Sequence, residues 1–216
     1  MLPPFVPDLA IIAQFALATL VIAITPGPDM TLFVGRTLSQ GRAAGLACMA
    51  GAMTGVLIHT LLVALGLSAL IVASPQAFLA LKICGAAYLV WLAFQAIRHG
   101  SAFSPQTQGG GPPRSLLRNW ATGVAIDLLN PKVVLFFMTF LPQFVSADDA
   151  YAPQKLLFLG LLFIPISLPV TVPMVLAADG FSSLLRRAPR VMRAIDWLFA
   201  GVFSAFALRI LTASAK

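Results

Sequence analysis

The sequence predicts an all-α integral membrane protein of six transmembrane helices. They form two inverted-topology three-helix repeats, with helices 1 and 4 broken. Apolar residues make up 59% of the chain and charged residues only 10%. Soluble domains carry about a quarter charged residues, so there is too little polar material for a water-facing exterior. The apolar residues gather into six stretches near the ~20 residues that a bilayer core demands. Prolines interrupt the first and fourth stretches beside ionisable residues, the pattern of a spanning helix opened at a transport site.

The first stretch runs from about Leu9 to Gly35 and is broken near Pro26. Met1 to Asp8 contains no Lys or Arg and so lacks the positive n-region of a signal peptide; the first stretch is expected to remain as a span. The second covers about Ala44 to Leu67, with apolar character running on to Ala73. A Ser74-Pro75 turn leads into the third, about Ala77 to Ile97. His99 to Pro113 is rich in Gly, Ser, Pro and Gln and reads as a loop. The fourth span is about Trp120 to Leu141, broken near Pro131; the fifth is about Leu156 to Ala178 and the sixth about Val191 to Leu211. The whole chain, 1–216, is then one transmembrane domain: repeat 1 over about 9–98, a cytoplasmic loop over about 99–117, and repeat 2 over about 118–213.

Charge fixes the orientation. The connections after the first, third and fifth spans hold nine positive residues: Arg36, Arg42, Arg98, Arg114, Arg118, Arg186, Arg187, Arg190 and Arg193. The other side holds Lys82, Lys155, Arg209 and Lys216, beside Asp8, Asp148 and Asp149. Positive loops stay cytoplasmic, so both termini are expected to be periplasmic. The net charge of +7 sits in these gaps and forms no basic face with interleaved aromatics, so no nucleic-acid partner is expected. Cys48 and Cys84 lie in apolar stretches without a CxxC pair, which argues for free core thiols.

Chemistry concentrates at the two breaks. Proline inside a helix removes an amide donor and clashes with the preceding turn, and in lipid such backbone survives only against protein or a wet cavity. Pro26, Gly27 and Pro28 interrupt the first span immediately before Asp29; Asn130, Pro131 and Lys132 do so in the fourth, shortly after Asp127. A charge at the centre of a spanning helix costs about 3 kcal/mol on insertion scales and normally has a partner or a task. Lys132 is therefore expected to neutralise Asp29 or Asp127 across the gap, with a purely structural buried pair as the alternative. A carboxylate so placed can carry a proton.

Other residues carry weaker signals. Gly51 and Gly55 make a small-xxx-small pair that speaks for close helix packing, and His59 reads as a satisfied interior histidine, not a metal ligand. Pro165, Pro169 and Pro173 are expected to bend or loosen the fifth span, with Ser167 and Thr171 towards the cavity. Tyr88 lies deep enough in the third span to reach it. Trp91, Trp120 and Trp197 fit interfacial anchoring, and Arg193 is expected to pair with Asp196 at the surface.

With these residues in view, the chain resembles the LysE/RhtB family of bacterial amino-acid exporters over nearly its whole length. The likeness rests on Thr25-Pro26-Gly27-Pro28-Asp29, on Gly41 and Gly45, and on Leu81-Lys82-Ile83-Cys84-Gly85-Ala86-Ala87-Tyr88-Leu89. Asn130-Pro131-Lys132, Leu135-Phe136-Phe137 and Pro142-Gln143-Phe144 complete it. The resemblance implies secondary active efflux of neutral amino acids, homoserine or homoserine lactone across the bacterial inner membrane, driven by the proton gradient. Asp127 stands where the family commonly has Asn, a departure that points to a different substrate or coupling ion. Export of an inorganic or metal ion, as in distant members of the superfamily, is the alternative; it would want His, Cys or acid clusters, and the seven acids are all Asp. No nucleophile stands paired with a base, so no enzyme is expected, nor any cofactor or resident metal. The implied partners are an amino-acid-like substrate, the proton gradient and the lipid bilayer, and the glycine-rich faces would allow a homodimer.

Overall fold

A computed structural model describes residues 3–67, 115–146 and 149–213, with scattered positions between 74 and 98. The described residues are helical, with no strand among them. Most of the third expected span, Tyr88 within it, and the loop 99–113 lie outside the described residues.

The first expected span is two helices, α1 (Leu9–Ile24) and α2 (Pro28–Gln40), bent by 50°. Gly41, with φ of 87°, turns the chain from α2 into α3 (Arg42–Leu62), in a left-handed conformation that glycine adopts without steric cost. A π-helical turn, Val63–Leu67, extends α3. The fourth span is likewise split: α4 (Leu116–Leu129) meets α5 (Pro131–Leu135), which continues through a π-helical turn, Phe136–Phe140, and a 3₁₀ turn, Leu141–Phe144. These two parts are bent by 53°. The chain then forms α6 (Ala152–Leu176), the short α7 (Ala178–Arg187) and α8 (Pro189–Ala213).

Among the described residues, Arg42–Gly66 and Ala152–Leu176 are each long and apolar enough to cross a bilayer, and each bent pair adds a further candidate. At 1.5 Å per residue the 25 residues of α6 reach about 37 Å, more than the ~30 Å hydrocarbon core. α8 has the same length, with Arg190, Arg193 and Asp196 in its first turns. Asp196 is not the surface charge expected from the sequence: it is buried, whereas Arg193 is exposed. Neither cysteine forms a disulfide among the described residues, but only Cys48 is in the core; Cys84 is exposed.

Leu65, Leu117 and Leu129 are more than 70% exposed, as suits a surface that faces lipid. Inside, the apolar residues form two clusters. One is aromatic, built on Phe15, Phe136, Phe137, Phe140, Phe163 and Phe203. The other gathers Met30, Phe33, Cys48, Ala52 and Met174 between α2, α3 and α6. α3 and α4 pack backbone to backbone. A methyl at Gly51 would strike the Trp120 carbonyl and one at Gly123 the Cys48 carbonyl, so only hydrogen fits at either crossing.

The prolines of the fifth span do not interrupt it. α6 is one continuous helix with Pro165, Pro169 and Pro173 inside. All three are exposed, while Ser167 and Thr171 are buried on the opposite face. The carbonyls deprived of an amide donor thus lie along the outer side of the bundle.

Candidate functional site

Both breaks follow one local recipe. Proline at the first helical position has no amide to lose and a φ already set for the helix; Pro28 restarts α2 and Pro131 restarts α5. Asn130 caps α5, its side-chain oxygen accepting from the Lys132 amide at 3.1 Å, a strongly preferred capping arrangement. Asp29 lies in the first turn of α2, where the helix dipole favours a negative charge.

The two breaks are stitched to each other. The Asn130 side-chain amide donates to the Asp29 carboxylate at 2.6 Å. The Lys132 ammonium donates to the Ile22 carbonyl at 3.1 Å and the Thr25 carbonyl at 2.8 Å. Ile22 is four residues before Pro26, so its carbonyl is the one that proline deprives of its helical donor. Lys132 restores that bond from another helix and sits as a cation at the C-terminus of α1, where the dipole welcomes it. Lys132 makes no ion pair within 4.0 Å to either carboxylate among the described residues; its hydrogen bonds are to backbone, and its charge acts on Asp29 and Asp127 from farther away. It lies against Gly27, where a Cβ would come within 3.1 Å of the ammonium nitrogen.

The second break repeats the logic. Pro131 deprives the Asp127 carbonyl of its helical donor. The Asn130 amide reaches that carbonyl at 3.1 Å, and the His59 Nε2 faces it at 3.5 Å and the Asp127 carboxylate at 3.8 Å. The His59 ring stacks on Phe137, centroids 5.7 Å apart. Asp127 is 2% exposed, and its carboxylate lies directly on Gly55, where a Cβ would collide with it.

His59 and Gly55 are therefore more than the interior histidine and the packing glycine that the sequence suggests. They are four residues apart and so share one face of α3, a spacing that marks a common neighbour without naming it.

A cavity of about 50 Å³ lies at the seam of the two apolar clusters, and Asp29, Asp127, Lys132, Ser167 and Thr171 all line it. A water needs roughly 10–15 Å³ of such space, so the cavity admits a few waters, and a whole amino acid requires its walls to part. Its apolar lining comes from both clusters: Ile22, Val133 and Phe163 from one, Met30, Phe33 and Met174 from the other. Of the residues singled out from sequence, Pro26, Gly27, Pro28, Asp29, Asp127, Asn130, Pro131 and Lys132 converge at or beside this seam. Tyr88 lies outside the described residues. No group of three His, Cys, Asp or Glu is placed to hold a metal ion among the described residues.

Over most of its length the chain is similar to membrane and efflux proteins. A membrane protein of Vibrio cholerae is 29% identical over 96% of this chain and 100% of its own length. The homoserine/homoserine lactone efflux protein of Salmonella typhimurium is 29% identical over 88% of this chain and 90% of its own. The cysteine/O-acetylserine efflux protein of Klebsiella pneumoniae is 29% identical over 93% of this chain and 96% of its own. No solved structure matches the chain. The model of the LysE type translocators matches residues 20–214, which takes in both breaks and the cavity between them, and the chain belongs to that family.

Proposed function

We propose that this translocator exports amino acids or closely related small metabolites across the bacterial inner membrane by proton antiport. The observation that carries the reading is the pair of broken helices joined through Asn130–Asp29 and Lys132–Ile22/Thr25 around a cavity with two carboxylates. Broken helices at corresponding places in inverted halves are the sequence and structural pointer to a transport site. The bends of 50° and 53°, each restarted by proline, support a repeat of three spans in each half, with six spans in all. Relatives named for homoserine, homoserine lactone, cysteine and O-acetylserine efflux support an amino-acid-like cargo. The positive loops support periplasmic termini.

In this reading Asp29, Asp127 and Lys132 form the binding centre, and Pro26, Gly27, Pro28, Asn130 and Pro131 shape the breaks around it. A carboxylate at the centre takes a proton as cargo leaves and releases it on the cytoplasmic side. The test is reconstitution of the purified chain into liposomes loaded with each of the twenty amino acids, with an imposed pH gradient. Efflux of at least one amino acid that depends on the gradient is expected. Efflux unchanged by a protonophore would refute antiport, and no movement of any amino acid, nor of homoserine, homoserine lactone or O-acetylserine in the same assay, would refute the cargo class.

A further inference from the structure

Two oxygen atoms at the seam lack what their surroundings demand. Asp29 Oδ1 and Asp127 Oδ2 are buried and have no hydrogen-bond partner among the described residues. A buried acceptor left unmatched costs about 1–3 kcal/mol, and more if charged. The groups nearby do not meet the need. Asn130 serves the other oxygen of Asp29. The His59 Nε2 stands 3.8 Å from Asp127 Oδ2, outside hydrogen-bond range. Lys132 directs two of its three donors at the backbone of α1.

A zwitterionic amino acid offers this centre two handles, and they are not equally useful. Its ammonium carries three donors and meets two carboxylate oxygens without partners. Its carboxylate would have only the remaining donor of Lys132, beside the side chains of Asp29 and Asp127. Around these groups the walls are apolar, with Met30, Phe33, Phe163 and Met174 among them.

We propose that Asp29 and Asp127 recognise the substrate by its ammonium group, that the apolar wall takes its side chain, and that a free carboxylate is dispensable. The site is then one for primary amines with apolar side chains, taking amino acids and their carboxyl-blocked forms alike. This rests on the amino-acid exporter reading and adds which end of the cargo is read.

The test uses the purified full chain in detergent and isothermal titration with L-leucine, L-leucinol and 4-methylpentanoate, after a screen of the twenty amino acids. Leucinol keeps the ammonium and lacks the carboxylate; 4-methylpentanoate is the reverse. Leucine and leucinol are expected to bind within about threefold of each other, and 4-methylpentanoate at least tenfold more weakly. Asp127→Asn and Asp29→Asn, both close in shape to the native residue, are each expected to weaken leucine and leucinol binding in parallel by tenfold or more. Binding of 4-methylpentanoate on a par with leucine, or loss of leucinol alone, overturns the ammonium proposal and leaves the exporter reading standing. Failure of all twenty amino acids and of leucinol to bind overturns both.

Discussion

A methyl group at Gly55 would enter space that Asp127 already fills. The Cβ of Gly55→Ala would lie 2.8 Å from Asp127 Cγ and 2.9 Å from its Cβ, where carbon atoms ordinarily rest at about 3.5–4.0 Å. Because the clash includes the Cβ, rotating the carboxyl cannot relieve it. Either α4 withdraws by roughly 0.6 Å to restore ordinary contact, or Asp127 leaves its place beside His59. Overpacking of this kind costs about 1–3 kcal/mol. At roughly 2–4 °C per kcal/mol for a chain of this size, the melting temperature in detergent should fall by about 2–12 °C.

Adding Asp127→Ala removes the contacts with the carboxyl group and leaves the one with Cβ, so the double variant should recover part of the lost melting temperature while transport stays absent. The coupling between the two positions should reach the 0.5–3 kcal/mol seen for residues in contact. Gly201→Ala serves as control, since its Cβ meets nothing within 4 Å among the described residues; alanine there should be neutral or stabilising by up to ~1 kcal/mol. Stability losses that simply add in the double variant, or a Gly55→Ala protein that melts and transports like wild type, would refute the seating of Asp127 on α3.

Further outcomes follow from the same geometry. Lys132→Met should abolish transport and, by leaving the Ile22 and Thr25 carbonyls without a donor, cost about 1–3 kcal/mol for each in thermal melts. Gly27→Ala should be milder: its Cβ would stand 3.1–3.3 Å from the mobile end of Lys132, so transport should slow while the protein keeps its melting temperature within a few degrees. Gly51→Ala and Gly123→Ala meet backbone instead of a side chain, and size-exclusion profiles should show much less folded protein for either. Outside the membrane, the hydrogen bond from Lys155 at 2.6 Å holds the Asp149 carboxyl below its usual range. A carboxyl whose pKa is depressed on folding stabilises above its unfolded pKa, and that contribution is lost as pH falls through the folded one. Lys155→Met should therefore cost at most ~0.2–1 kcal/mol at neutral pH, with the gap to wild type closing once the medium is acid enough to protonate Asp149 in both.

What the sequence revealed, and what it hid, divides by the range of the interactions. The breaks were legible because Pro28 and Pro131 act on their own helices through a missing amide and a fixed φ. The need for a donor at Ile22 follows from Pro26 by the same local rule. Its source does not: Lys132 is 110 residues away, and only the packing of α5 against the end of α1 brings it there. Electrostatic reasoning pointed Lys132 at the two carboxylates, which its charge does reach, but not at the backbone carbonyls that take its hydrogen bonds, of which Ile22's had lost its own donor. His59 and Gly55 advertised a shared face of α3, yet nothing in their spacing says that Asp127 occupies it. Asp196 looked like a surface charge because of its arginine neighbours, and the helix turned it inward. The π-helical turn at Phe136–Phe140 leaves no pattern that distinguishes its phenylalanines from those of an ordinary apolar helix.

The ammonium of Lys132 standing in for the amide that Pro26 lacks has a mechanical meaning. Ordinarily a helix owns every bond that keeps it stiff, and its rigidity is a property of its own residues. Here one rung of α1 is on loan from α5. With the two segments docked, the first helix is braced at its break; any displacement of α5 would take the brace with it and leave the joint at Pro26 without it. The stiffness of the first break thus depends on where the second one sits.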